Sequence, residues 1–241
     1  MQAISERAVR WTDAEVTLEG RMMVPEVARQ APRPAVLVVH TIRGRGAFEH
    51  ERARALAELG YVGFAVDLYG EGRYSDDHGE AGAWMQALLD DRALLQQRMA
   101  AALAAAAAQP EVDAQRIAAI GYCFGGLCVL DLARTTPGVS GVASFHGLLA
   151  PPPGPPAGQI DAQVLILHGW DDPLAPPEAV LAVARELTAA GADWQIHAYG
   201  HAAHSFTNPA AANPERGLAY EPRADRRAWQ ALNGFLAELF D

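Results

Sequence analysis

Three residues of this 241-residue chain could together carry out nucleophilic acyl transfer: Cys123, Asp171 and His204. An ionised thiol attacks carbonyl carbon readily. An imidazole can take up the thiol proton and later return it to a leaving group. A carboxylate behind the imidazole can orient it and stabilise its charged form. Each of the three stands shortly after an apolar run. Cys123 closes Ile117-Ala118-Ala119-Ile120-Gly121-Tyr122, Asp171 follows Val164-Leu165-Ile166-Leu167 and His168-Gly169-Trp170, and His204 follows the run at 194–199. If these runs are parallel strands, all three residues reach one edge of one sheet, although they lie far apart in the chain.

The local pattern around the cysteine is Gly121-Tyr122-Cys123-Phe124-Gly125-Gly126, followed by an apolar helical pattern from Leu127. Glycines leave room where strand and helix backbones crowd together, and the cysteine at the apex is pushed outward. The free N–H groups of the following helix favour a thiolate and can bind a developing oxyanion. The pattern is similar to the nucleophile elbow of the α/β-hydrolases, with Cys in place of Ser. His201 is the rival base. Asp172 is the rival acid, although the Pro173 beside it suggests that it starts a turn. Cys128, inside the following helix, reads as a core residue.

The rest of the chain must hold these residues. Val16, Leu18, Met22 and Val24 alternate around Glu19-Gly20, which suggests an N-terminal hairpin. Ala35-Val36-Leu37-Val38-Val39 reads as a strand buried on both faces. It leads into His40-Thr41-Ile42-Arg43-Gly44, a loop beside the elbow. A helix at 48–59 and a strand at 61–68 come next. Residues 71–82 are polar and glycine-rich, as in a mobile loop over the site, and residues 83–109 read as one long helix stopped by Pro110. Further strands are expected at 139–145, 164–167 and 194–199, with helices at 177–190 and 225–240. The proline-rich stretch at 151–156 reads as a stiff surface loop. Strands alternating with helices predict a three-layer α/β/α sandwich with a mostly parallel sheet, and a single domain over 1–241.

Composition narrows the function. The formal net charge is -10 and half the residues are hydrophobic, which argues against nucleic acid or an anionic membrane as partner. The first residues lack an apolar signal core and no stretch is apolar enough to span a bilayer, so a cytoplasmic protein is expected. Two cysteines are too few for a disulfide framework. No tight cluster of metal ligands is visible, and no cofactor is implied.

The chain resembles the dienelactone hydrolase family. The resemblance rests on Gly-Tyr-Cys-Phe-Gly-Gly at 121–126, His-Gly-Trp-Asp-Asp-Pro at 168–173 and His-Ser-Phe-Thr-Asn-Pro at 204–209. Leu59-Gly60-Tyr61 and Asp67-Leu68-Tyr69-Gly70 add to it. It implies a small hydrolase without a large lid domain, acting on esters or lactones through an acyl-cysteine. It also implies an oxyanion hole from the backbone N–H groups of Phe124 and Ile42. Two positions depart from the pattern: Thr41 stands where the founding members carry a Glu that governs the cysteine, and Asn208 where they carry a carboxylate-binding Arg. Possible substrate contacts are His40, Thr41, Arg43, Tyr69, Arg73 and Asn208, with Arg45 a further loop cation. His40 is open to either a substrate or a structural role, and His146 and His168 read as packing and hydrogen-bonding residues. The alternatives to a hydrolase are a thiol redox or electrophile sensor and a binding protein on the same fold.

Overall fold

Continuous apolar runs form strands only where both faces of a sheet are covered, and the chain folds accordingly. The computed structural model describes residues 3–241. A hairpin of β1 (Ile4–Asp13) and β2 (Val16–Pro25) leads into β3 (Arg33–Val39), α1 (Ala47–Glu58) and β4 (Val62–Val66). Two helices follow, α2 (His78–Asp90) and α3 (Arg92–Ala107). Then come β5 (Val112–Tyr122), α4 (Phe124–Thr135), β6 (Gly141–Phe145), β7 (Gln163–Gly169), α5 (Pro177–Ala189) and β8 (Trp194–Tyr199). A short ribbon, β9 (Ala212–Asn213) with β10 (Leu218–Ala219), precedes α6 (Pro222–Phe240). Eight strands make one sheet in the order β1-β2-β4-β3-β5-β6-β7-β8. Strands β3 to β8 pair in parallel, and the hairpin is antiparallel at one edge.

Alternation along the inner strands feeds two cores. Leu37, Val39, Ile117 and Ala119 face α3, α4 and α5, whereas Val36, Val38, Ala118 and Ile120 face α1 and α6. The expected three-layer α/β/α sandwich is therefore the observed architecture. Both layers are needed, because each strand would otherwise expose an apolar face. Truncating one fully buried side chain such as Leu37 would cost about 2–5 kcal/mol.

Three local expectations are corrected. The hairpin turn falls at Ala14-Glu15 instead of Glu19-Gly20. Gly20 sits within β2 because a Cβ there would meet the Phe64 ring at 2.4 Å. The long helix at 83–109 is broken at Asp91, whose Oδ1 accepts the Leu94 N–H at 2.9 Å and so starts α3 afresh. Residues 71–82 are not a free loop. Tyr74 bridges Gly44, Ser75 N–H donates to Arg43 O at 3.0 Å, and Asp77 caps α2 through the N–H groups of Gly79 and Glu80.

Candidate active site

Cys123 lies at the turn between β5 and α4 with φ 57°, a left-handed conformation that costs a non-glycine residue energy. Two glycines make the turn possible. A Cβ on Gly121 would lie 2.0 Å from Gly125 O, and one on Gly125 would lie 2.4 Å from Val39 O. The turn is tied to the sheet by Cys123 N–H donating to Phe145 O at 3.0 Å. Its thiol remains partly exposed, whereas Cys128 is fully buried. Burial raises the Cys128 thiol well above its ordinary range, and Asp131 adds to that.

His204 is almost wholly buried and is held from several sides. Its Nδ1–H donates to Asp172 Oδ2 at 2.8 Å. Its Nε2 is buried without a well-formed hydrogen bond, on the side where the ring interacts with Cys123. Burial pulls the His204 pKa down. The negative charge of Cys123 and the bond to Asp172 outweigh it, so the ring is pushed up to about 10. Behind it, His146 packs edge-on at 5.1 Å. Burial holds His146 well below the usual histidine range, and the neighbouring His204 charge adds to that. His146 Nε2 pairs with Thr207 Oγ1 at 2.8 Å, and Thr207 O accepts from Arg52 at 3.2 Å. Left-handed backbone at His146, His201 and Ser205 marks these loops as strained in the same way as the cysteine turn.

The acid is the main correction. Asp171 does not meet His204: it is exposed, and the nearest cation-capable group is His201 at 3.9 Å. Asp172 occupies the position instead. The expectation that Asp172 starts a turn also holds, since its Oδ1 accepts the Leu174 N–H at 2.8 Å. One carboxylate serves both purposes because it has two oxygens. His201 is exposed and turned to Asp171 at 3.9 Å, outside the buried Asp172–His204 pair.

On the opposite side of Cys123, the loop after β3 is fixed by groups from other elements. Glu49, buried in the first turn of α1, accepts Thr41 N–H at 3.3 Å and Gly46 N–H at 2.8 Å. Tyr69 donates its hydroxyl to Ile42 O at 3.0 Å. Tyr69 is itself placed by Asp67, which accepts the N–H groups of Glu19, Tyr69, Gly70 and Gly72. Burial pushes the Tyr69 phenol upward, and the nearby Cys128 and Cys123 charges add to it. Among the described residues, the N–H groups of Ile42 and Phe124 have no acceptor. They are free to bind an oxygen.

The other candidate contacts divide. His40 is fully buried with both nitrogens engaged, Nδ1 with Thr41 O at 2.7 Å and Nε2 with Leu68 N at 3.2 Å. It ties the ends of β3 and β4 together and has no nitrogen left for a substrate. Burial also keeps it neutral, against the opposing pull of Thr41 O. Arg43 pairs with Asp76, and Arg73 lies 3.7 Å from Glu71 and over the Trp84 ring. Arg45 is buried against Glu19 and His50. Asn208 Oδ1 accepts Ala210 N–H at 2.9 Å, closing its own turn. His168 is buried against Trp170, and neither of its ring nitrogens finds a partner. Glu49, Asp67 and Thr207 were missed from sequence. A capping Glu at the first turn of a helix is the one signal that could have flagged Glu49.

Among the described residues, no group of three or more His, Cys, Asp or Glu is gathered so as to hold a metal ion. Nor is any helix there long and apolar enough to cross a membrane.

A mostly parallel sheet with Cys, Asp and His on the loops after β5, β7 and β8 defines an α/β-hydrolase. Comparison with known proteins refines this. The family model for the dienelactone hydrolase family matches residues 18–240, and the chain belongs to that family, hydrolases of esters and lactones. The solved structure of a dienelactone hydrolase-like promiscuous phosphotriesterase from metagenomic libraries superposes with a TM-score of 0.94. It is 40% identical and covers 99% of this chain and 100% of its own. An uncharacterized protein of Caenorhabditis elegans is 38% identical over 154 residues, 63% of this chain and 98% of its own. A "Putative carboxymethylenebutenolidase" of Yersinia pestis is 27% identical over 83% of this chain and 76% of its own.

Proposed function

We propose that this hydrolase cleaves carboxylic esters or lactones through an acyl-cysteine, with Cys123 as nucleophile, His204 as base and Asp172 as the acid that holds it. The observation that carries this reading is His204 itself, bonded to Asp172 at 2.8 Å on one nitrogen and turned to Cys123 with the other. The Cys123 thiolate, whose proton already rests on His204 Nε2, bonds to the carbonyl carbon. The carbonyl oxygen becomes an oxyanion, received by the N–H groups of Phe124 and Ile42. Collapse expels the alcohol, which takes the proton back from His204. Water, deprotonated by His204, then adds to the thioester. The acid leaves as sulfur departs, and Cys123 is again a thiolate beside the protonated His204.

Neutral substrates suit the site. Asn208 stands where the family resemblance implies an Arg, and Arg43 and Arg45 are engaged with carboxylates while Arg73 lies over Trp84. A substrate screen with 4-nitrophenyl esters and lactones, run beside a Cys123→Ala control, tests the proposal. Turnover that survives the substitution would refute it. A second reading follows from the 40% identical relative, a promiscuous phosphotriesterase. The same thiolate could attack phosphorus and expel an aryloxide, so 4-nitrophenyl diethyl phosphate belongs in the screen.

A further inference from the structure

The connection from β6 to β7 contains no helix. Residues 146–162 cross over as a chain with Pro151, Pro152, Pro153, Pro155 and Pro156. Two parallel strands ordinarily need a helix in such a crossover. Without one, a groove of about 1000 Å³ remains between α4, α5 and the proline-rich chain. That is the size of pocket that encloses a small-molecule ligand, roughly 300–1,000 Å³. Its walls are apolar side chains such as Leu89, Leu127, Leu148, Leu174 and Val183.

We infer that this groove binds the linear apolar chain of a neutral ester substrate. The inference rests on the ester-hydrolase reading above. Cys123, Asp172 and His204 do not themselves line the groove, but the segments that follow the reactive loops do. Leu127 is one helical turn after Cys123, Leu148 follows His146-Gly147, and Leu174 is two residues after Asp172. Along α4 the near end of the groove, at Leu127, is therefore about 6 Å from the cysteine turn. It continues along α4, whose 12 residues span about 18 Å, enough for a chain of about ten carbons. Its charge is also nearly spent. Arg92 is bidentate on buried Asp131 at 2.7 and 2.8 Å, and Arg134 is bidentate on Glu186 at 2.7 and 2.8 Å. Exposed Arg185, on the third turn of α5, is the lining charge without an ion pair among the described residues. Such walls favour a hydrocarbon chain over an anion.

The test is the chain-length profile of 4-nitrophenyl esters from acetate to decanoate, in wild type and in Ala179→Trp and Ala182→Trp. Both alanines line the groove on α5, away from the reacting groups. Each seated methylene can raise kcat/KM by up to about fourfold. The expected result is a rise of at least about tenfold from acetate to octanoate in wild type. Both Trp variants should lose that rise while keeping acetate turnover within about twofold. A flat wild-type profile, or the same rise in the Trp variants, would overturn the inference. So would a dimer that Ala182→Trp dissociates without changing the profile, since a second copy would then cover the groove. If no ester of any length is turned over, the catalytic reading fails, and the groove is judged by binding. In that event, 1-decanol should displace 8-anilinonaphthalene-1-sulfonate from wild type and not from Ala179→Trp, and equal or absent displacement would overturn the inference.

Discussion

Strand β6 has a crossover on each side, and the two are built on opposite principles. The one from β5 is a turn with no room for a single Cβ at Gly121 or Gly125, running straight into α4. The one to β7 has no helix, is dominated by proline, and leaves an open groove. The first connection holds Cys123 in a strained conformation between glycines that admit no side chain. The second fixes little and encloses space. Reactivity and substrate choice are thereby placed in neighbouring but separate segments, so substitutions should affect one without the other.

The largest effect should come from the tight connection. Cys123→Ala should lower kcat/KM on a small aryl ester by at least about two to three decades, because the covalent step is lost. Cys128→Ala, five residues on and fully buried, should leave kinetics near wild type and lower stability by about 1 kcal/mol. Steady-state rates and denaturant unfolding of both variants would show it. Equal kinetic losses would erase the distinction between reacting and packing sulfur.

A smaller effect is expected at the oxyanion loop. Tyr69→Phe removes the hydroxyl that holds Ile42 O at 3.0 Å. With the Ile42 N–H less firmly aimed, kcat should fall about tenfold with KM little changed, because the interaction matters most in the transition state. A rise in KM at constant kcat would instead make Tyr69 a substrate contact. Smaller still is the effect of substrate charge: neutral esters should exceed matched carboxylate-bearing ones in kcat/KM by about tenfold or less. The reverse preference would point to Arg43 or Arg73 leaving its present partner.

A last effect is on stability. The His204 pKa is raised to about 10 when folded, against about 6.5 unfolded. Its contribution is therefore complete below about pH 6.5 and is lost as pH rises through about 10. The stability gap between wild type and His204→Gln, followed by chemical unfolding from pH 6 to 10.5 (a range set by those two limits), should narrow across that window. Parallel curves would mean that the imidazolium is not held by Cys123 and Asp172.

Much of this was readable from residue order, for a physical reason. Strands covered on both faces appear as unbroken apolar runs, and the glycines around Cys123 can hardly serve another geometry. The hairpin turn was misplaced because Gly20 avoids the Phe64 ring, a contact between strands that no local pattern contains. The break at Asp91 was hidden by strong helix formers on both sides. Choosing between Asp171 and Asp172 needed the path of the backbone after Gly169, which buries one side chain and exposes the next. The support behind His204 and Ile42, from Thr207, Glu49 and Asp67, joins residues remote in sequence and leaves no periodic trace.

The adjacent aspartates offer the most direct test of the central claim, that buried Asp172 holds His204 toward Cys123. The measurement is kcat/KM for Asp172→Asn and Asp171→Asn on one activated ester, with folding checked by circular dichroism. Asp172→Asn should lose about two to four decades, since the amide can no longer fix the imidazole tautomer or stabilise its charge. Asp171→Asn should stay within about threefold of wild type, as expected of an exposed side chain that is not bonded to His204. A large loss at Asp171 with little at Asp172 would contradict the account.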